Sequence, residues 1–276
     1  MKRILMVTSL IIAMAAFGIA QTTQPKPAPQ SPAASTPATK APTATKAPTA
    51  TATTSAAMPT ADQILDKYVQ ALGGKAAFEK LTSRAAKGTF DISAMGVSAP
   101  IEAYNKAPNK TVFNLEIPGF GVVQRGYDGT TGWSQNPQEG LREVSGAELA
   151  MMKRGAELHR EIKLKQLYPQ MSVKGKEKVG EREAYLIEAT PAGGGPEKMF
   201  FDTQTGLLIR YDFEAETSQG KFPTQSTFDD YREVDGVKMP FTVRQSSAAG
   251  DFIIKFTDVK HNVPVDDAKF SKPAAR

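Results

Sequence analysis

Residues 104–137 read YNKAPNKTVFNLEIPGFGVVQRGYDGTTGWSQNP. Within this stretch Phe113, Leu115 and Ile117 alternate with Asn114 and Glu116, the period-2 pattern of a strand with one dry face and one wet face. Pro118-Gly119 turns the chain, and residues 122–127 form a second predicted strand. That strand ends at Asp128-Gly129, where glycine's tolerance of positive φ suits a tight hairpin. Trp133, the sole tryptophan, follows directly. The stretch therefore predicts an antiparallel meander.

The same alternation extends in both directions. Upstream, Phe90 and Ile92 alternate with Asp91 and Ser93, and Ile101 and Ala103 with Glu102 and Tyr104. Downstream, strands are predicted over 183–190, 198–202, 207–214, 224–233, 237–246 and 251–259, with turns at 203–206 and at Asp235-Gly236 and a glycine-rich loop at 191–196. Met199 with Phe201, Ile209 with Tyr211 and Phe213, and Phe252 with Ile254 and Phe256 each line one face, enough for a continuous apolar surface. A sheet of this length has to coil, close on itself or be covered.

Only two stretches can cover it. Thr60 and Gln63 form a capping box ahead of Ile64, Leu65, Tyr68, Val69 and Leu72 at helical spacing, stopped by Gly73-Gly74. A shorter helical piece over 75–81 buries Phe78 and Leu81. The polar face of the first helix carries Asp62, Asp66 and Lys67, a mixture that favours packing on a sheet over lying on a membrane. Ser145 and Glu148 suggest a second capping box, followed by a long helix from 147 to about 166 with Leu149, Met152, Ala156 and His159 on one stripe. Methionines there suit a surface that repacks around variable apolar shapes, and equally suit core filling. Residues 153–178 hold eight basic residues against Glu157, Glu161 and Glu177, which would steer an anionic partner or simply form a solvated face.

Composition narrows the function. The chain of 276 residues has no cysteine, which excludes disulfides, thiolate metal sites, a cysteine nucleophile and a lipidated N-terminal cysteine. Lys2 and Arg3 precede an apolar run over 4–19, so 1–20 read as a secretory signal peptide cleaved after Ala20; an uncleaved anchor is the competing reading. Residues 21–58 are a Pro/Ala/Thr-rich linker that cannot build a core. The net charge of +5 resides wholly in these two segments: Lys2, Arg3, Lys26, Lys40 and Lys46 lie there with no acidic residue, leaving 29 basic against 29 acidic residues from Pro59 onward. A neutral domain lacks the footprint of a nucleic-acid binder.

No catalytic, metal-binding or cofactor-binding motif stands out. His159 has no second histidine at i+4, and no nucleophile elbow occurs. Gly119-Phe120-Gly121 precedes a strand instead of a helix, and the glycines at 193–195 lack the lysine and helix of a phosphate loop. Asp229-Asp230 and Asp266-Asp267 would point to opposite faces of an extended chain. The reading is a non-enzyme without cofactor.

Pro108-Asn109 entering a strand, Tyr127-Asp128-Gly129 closing the next, then Thr131, Trp133 and Asn136-Pro137 resemble the LolA-like lipoprotein-carrier superfamily, whose members include LppX and the sigma-factor regulators RseB and MucB. The closing segment Asp266-Asp267-Ala268-Lys269-Phe270-Ser271-Lys272-Pro273 is similar to the family's. The resemblance spans roughly residues 60–273. It implies an α+β fold, a large curled antiparallel sheet (an unclosed β-barrel) with helices covering its concave side, and one lipid- or lipoprotein-binding domain over 59–276. It also implies a periplasmic or secreted carrier that binds lipid or an acylated lipoprotein, loaded and unloaded by inner- or outer-membrane proteins. An envelope-stress sensor or interaction module like RseB or MucB is the alternative. In the carriers an arginine directly before the strand-opening proline hydrogen-bonds the lid; here that position is Ala107, after Lys106. Candidate cavity residues are Phe90, Ile92, Phe113, Leu115, Ile117, Trp133, Met152, Met199 and Phe201.

Overall fold

The computed structural model describes residues 57–217, 220–248 and 250–274; the predicted signal and linker lie outside them. Helix α1 (Ala61–Ala71) starts at the predicted box: the Gln63 N–H donates to Thr60 Oγ1 at 3.3 Å, and the Thr60 N–H donates to Gln63 Oε1 at 2.9 Å. Its buried side, Ile64, Leu65 and Tyr68, continues into Leu72. The helix ends at Gly73, with φ 116° and a site where a Cβ would lie 2.1 Å from the Gly236 carbonyl oxygen. Only glycine lets the helix end dock that closely. A short α2 (Lys75–Glu79) buries Phe78.

Thirteen antiparallel strands follow: β1 (Ser83–Ile92), β2 (Val97–Lys106), β3 (Lys110–Ile117), β4 (Gly121–Tyr127), β5 (Gly132–Asn136), β6 (Gly140–Val144), β7 (Gln170–Val179), β8 (Arg182–Thr190), β9 (Glu197–Asp202), β10 (Leu208–Thr217), β11 (Gly220–Val234), β12 (Val237–Ser247) and β13 (Gly250–His261). They form one curled, unclosed sheet ordered β6-β5-β4-β3-β2-β1-β13-β12-β11-β10-β9-β8-β7. The path is simple. From β1 at the middle the chain winds outward by hairpins to one edge at β6, crosses to the opposite edge at β7, and winds back until β13 pairs with β1. The crossing segment joins the two edges, and its helix lies over the sheet against β10 and β4.

That crossing is not the single long helix expected. It is α3 (Gly146–Ala156), a 3₁₀ turn (Arg160–Ile162) and α4 (Leu164–Leu167). The break at Glu157, ψ 113°, frees the Leu158 N–H to donate to the Pro108 carbonyl at 3.1 Å, a tertiary partner invisible to helical periodicity. The expected second capping box is also absent: Ser145 makes no side-chain cap bond, and Glu148 is drawn to arginines of the sheet. Strand β7 escaped the pattern because it is an edge strand whose Lys174, Lys176 and Lys178 mask the alternation; lysine on an exposed edge discourages pairing with other chains.

Register places the buried side chains. Across one row Ile92 neighbours Phe252, which pairs with Gln245, then Ser226, Tyr211, Met199 and Ile187. In the next row Phe90 pairs with Ile254 and Ala99. That face is thus largely apolar from β3 to β8, interrupted at Gln245 and Ser226. At one end it packs against α1, α2 and α4 (Ile64, Leu65, Tyr68, Leu164 on Ile187, Met199, Phe201); at the other Phe90, Ile92, Ile101, Leu115 and Ile117 pack on one another.

Candidate functional site

Between these two packed regions, under α3, lies a groove of about 390 Å³. Its floor is Phe113 of β3, Phe213 of β10, and Phe252 and Ile254 of β13; its roof is Met151, Met152 and Gly155 of α3; Thr111, Arg125, Glu148, Glu216 and Gln245 supply the polar groups of the rim. Phe213 continues into a stack with Tyr211, centroids 4.8 Å apart. The helix approaches closely over β5 because residue 132 is glycine: a Cβ there would stand 2.8 Å from Leu149 and 2.9 Å from Met152.

Buried ion pairs pin both ends of α3. Near its start Glu148, 8% exposed, accepts from Arg125 of β4 at 2.8 Å and from both terminal nitrogens of Arg142 of β6 at 2.9 and 3.0 Å. The hydrogen bonds to Glu148 raise the pKa of Arg142, while burial lowers that of Arg125. Near its end Arg154 donates to buried Glu197 at 2.9 Å, and the Tyr211 hydroxyl also donates to Glu197. Breaking such a pair by removing one partner costs about 3–5 kcal/mol, because a charge is left buried alone. The roof is fixed.

Beyond Arg154 the Arg160 guanidinium lies 5.5 Å from the Tyr211 ring centroid and 3.5 Å from the Tyr168 hydroxyl. Arg160 and Glu161 border a smaller chamber of about 80 Å³, with Tyr68, Met199 and Tyr231. A further cleft of about 410 Å³ separates α1 from residues 161–165. Asp66, Gln70, Lys75, Glu161 and Lys165 line it, and Lys165 bridges to Asp62 and Asp66. Leu65, Val69, Ile162 and Leu164 share that cleft with these charges, whereas the groove under α3 has a floor of aromatic and aliphatic side chains and is the better apolar site. The local basic excess is engaged as well: Arg154, Lys163, Lys165, Lys174 and Lys176 all form ion pairs.

The nine residues singled out from sequence divide. Phe113 and Met152 line the groove. Phe90, Ile92, Leu115 and Ile117 share that face but lie within the packed cluster beside it, each at most 1% exposed. Met199 and Phe201 sit in the core beneath α1, where Phe201 meets Tyr68 edge-on. Trp133 corrects the expectation of a shared face: it pairs with Gly126, itself opposite Val112, on the other side of the sheet. There it packs with Val112, Val265 and Phe270, and its indole N–H donates to the Phe270 carbonyl at 2.9 Å. Gly126 is what makes room, since a Cβ there would be 2.4 Å from the ring. Strand alternation puts Phe213, Phe252 and Ile254 on apolar faces but does not assign them to the site; only register joins them to Phe113.

His159 makes a 2.9 Å hydrogen bond with the Leu81 carbonyl, and no three of His, Cys, Asp and Glu are grouped for a metal ion among the described residues. Ala107 offers no side-chain donor, and the Pro108 carbonyl beside it accepts from the Leu158 N–H of the crossing segment.

No family model matches the sequence, and no curated protein matches it. Solved structures do. A DUF1329 family protein from Desulfovibrio piger superposes with a TM-score of 0.54 at 14% identity, over 78% of this chain and 98% of its own. A LolA superfamily protein from Nitrosomonas europaea gives 0.53 at 13% identity, over 78% and 99%. This chain has the LolA fold. A third structure, a domain from Vibrio parahaemolyticus classed as an outer membrane lipoprotein-sorting protein, gives 0.52 at 13% identity, over 76% and 97%. Likeness at this identity carries the LolA fold and leaves function to the site. Among the described residues, no helix is long and apolar enough to cross a membrane.

Proposed function

We propose that this protein is a non-enzymatic carrier that binds a lipid, or the acyl chains of a lipoprotein, in the groove between α3 and the sheet. The observation that carries the reading is the groove itself: about 390 Å³ between an aromatic floor and a methionine-containing roof. Burial contributes about 25 cal/mol per Å², so an acyl chain gains affinity there without a dedicated polar contact. Thioether side chains adjust to its shape. The work of a carrier also matches the domain arrangement: 1–20 direct secretion and are removed, 21–58 act as a spacer, and 59–276 bind cargo in the periplasm or outside the cell. The sorting role attributed to the Vibrio domain supports transfer toward an outer membrane, with membrane proteins as loading and unloading partners.

The experiment is native mass spectrometry with lipid extraction on protein purified from the periplasm of its host. Discrete adducts that extract as lipid or acylated peptide are expected, and Met152→Glu, which sets a charge in the roof, should abolish them while the far-ultraviolet spectrum stays unchanged. A uniformly ligand-free mass, unchanged on adding lipid, overturns the reading.

A further inference from the structure

We infer that the chamber beside Arg160 and Glu161 binds a free α-amino acid, with its carboxylate on Arg160 and its ammonium on Glu161. This is a second site, independent of the lipid-binding reading, because the chamber shares no lining residue with the groove under α3. Among the described residues, three buried side-chain polar atoms lack a hydrogen-bond partner: Arg160 Nε, Glu161 Oε2 and His261 Nδ1. The last has the Asp235 carboxylate 3.5 Å away. The other two belong to consecutive residues that line one chamber. They do not satisfy each other, and folded proteins rarely leave a buried donor and a buried acceptor unmade. The occupant must therefore accept from one and donate to the other.

Charge decides its class. Met199, Leu208, Phe228 and Pro240 make most of the wall apolar. Tyr68 and Tyr231 complete it, and burial raises the pKa of both, so their phenols stay neutral. The Tyr231 hydroxyl is committed to the Leu208 carbonyl at 2.7 Å. Arg160 and Glu161 are then the only charged side chains lining the chamber. Hydrogen bonds to ionised groups are the strong ones, so a carboxylate suits the guanidinium and an ammonium suits the Glu161 oxygen; tyrosine rings attract the same cation. A small molecule with both groups one carbon apart serves two neighbouring residues at once, and the apolar wall takes a hydrocarbon side chain. The far side of the guanidinium is already placed, against the Tyr168 hydroxyl and the Tyr211 ring. Glu161 and Leu164 also line the cleft between α1 and residues 161–165, so these two side chains separate the chamber from the surface.

The test is isothermal titration of the dialysed protein, purified from its host's periplasm, with glycine, L-alanine, L-valine and L-leucine, and with propylamine and propionate as probes that carry one charge each. At least one of the amino acids should bind one to one and saturably, and propylamine and propionate at least about tenfold more weakly. Glu161→Gln keeps the size of the side chain and removes its charge, and should weaken the amino acid at least about tenfold; the single-charge probes on the unaltered protein are the arm that needs no variant. Met152→Glu, in the groove, should leave the affinity unchanged. No saturable binding of any amino acid overturns the inference, with water then satisfying both groups, and leaves the carrier reading standing. Equal binding by Glu161→Gln, or loss of binding in Met152→Glu, also overturns it, since the amino acid would then sit elsewhere.

Discussion

His261 is buried, and the Arg84 Nε–H donates to its Nε2 at 3.2 Å, with Asp235 3.5 Å from Nδ1. Burial, followed by the repulsion of Arg84, lowers its pKa below the ordinary value. The imidazole is therefore neutral in the fold at a pH where the unfolded chain, near pKa 6.5, already takes up a proton. Its contribution to stability is complete above about pH 6.5 and is lost as pH falls through the depressed folded value. Thermal midpoints measured from pH 8 to pH 5 should fall on the acid side, and His261→Gln should flatten that slope; an unchanged slope would show that His261 does not titrate on unfolding. Gly126 tests the other face of the sheet at the same scale. Gly126→Ala drives a methyl into Trp133 and should cost about 1–3 kcal/mol, read from denaturant unfolding.

Helices α1 and α3 both begin with a residue suited to N-capping, yet only one uses it. Thr60 closes a reciprocal box with Gln63, so Thr60→Ala should cost about 1 kcal/mol. Ser145 makes no cap bond, and Ser145→Ala should stay within about 0.5 kcal/mol. Denaturant midpoints of the two variants check the contrast, and comparable losses would refute it. The helix α3 depends instead on long-range ion pairs, because Glu148 bonds Arg125 and Arg142 and not the helix start. The charge pattern alone makes Glu148 a capping residue; the fold makes it a clamp.

Across the described residues the sheet has two faces, and different parts of the chain pack on each. The crossing segment and α1 cover the curled inner face. On the outer face the segment after β13 returns over Trp133 and Val112, packing its own Val265 there with Phe270 fully buried. Phe270→Ala should cost about 3–5 kcal/mol and, because Trp133 is the sole tryptophan, should shift the intrinsic fluorescence to the red. Ligand entering the groove should leave that emission unshifted, since Trp133 lies on the opposite face from the groove. A large spectral shift on lipid binding would place the ligand elsewhere.

By itself the sequence determined the alternation of Phe113, Leu115 and Ile117, the hairpins at Asp128-Gly129 and Asp235-Gly236, the start and stop of α1, and an α+β antiparallel design, because strand period, turn glycines and caps act between neighbours a few residues apart. It also placed Phe113 and Met152 on apolar surfaces. Tertiary structure alone decided which apolar residues surround the groove. Phe213, Phe252 and Ile254 come together with Phe113 only through the β1–β13 pairing, which links strands more than a hundred residues apart. It also decided that Trp133 looks outward, that the crossing segment breaks after Ala156, and that β7 forms an edge. The first two rest on a partner distant in the chain, Phe270 for Trp133 and Pro108 for Leu158, and β7 is an edge because the order of the whole sheet ends there. Local pattern sets what a residue prefers, and the long-range pairing of the sheet sets which neighbour it receives.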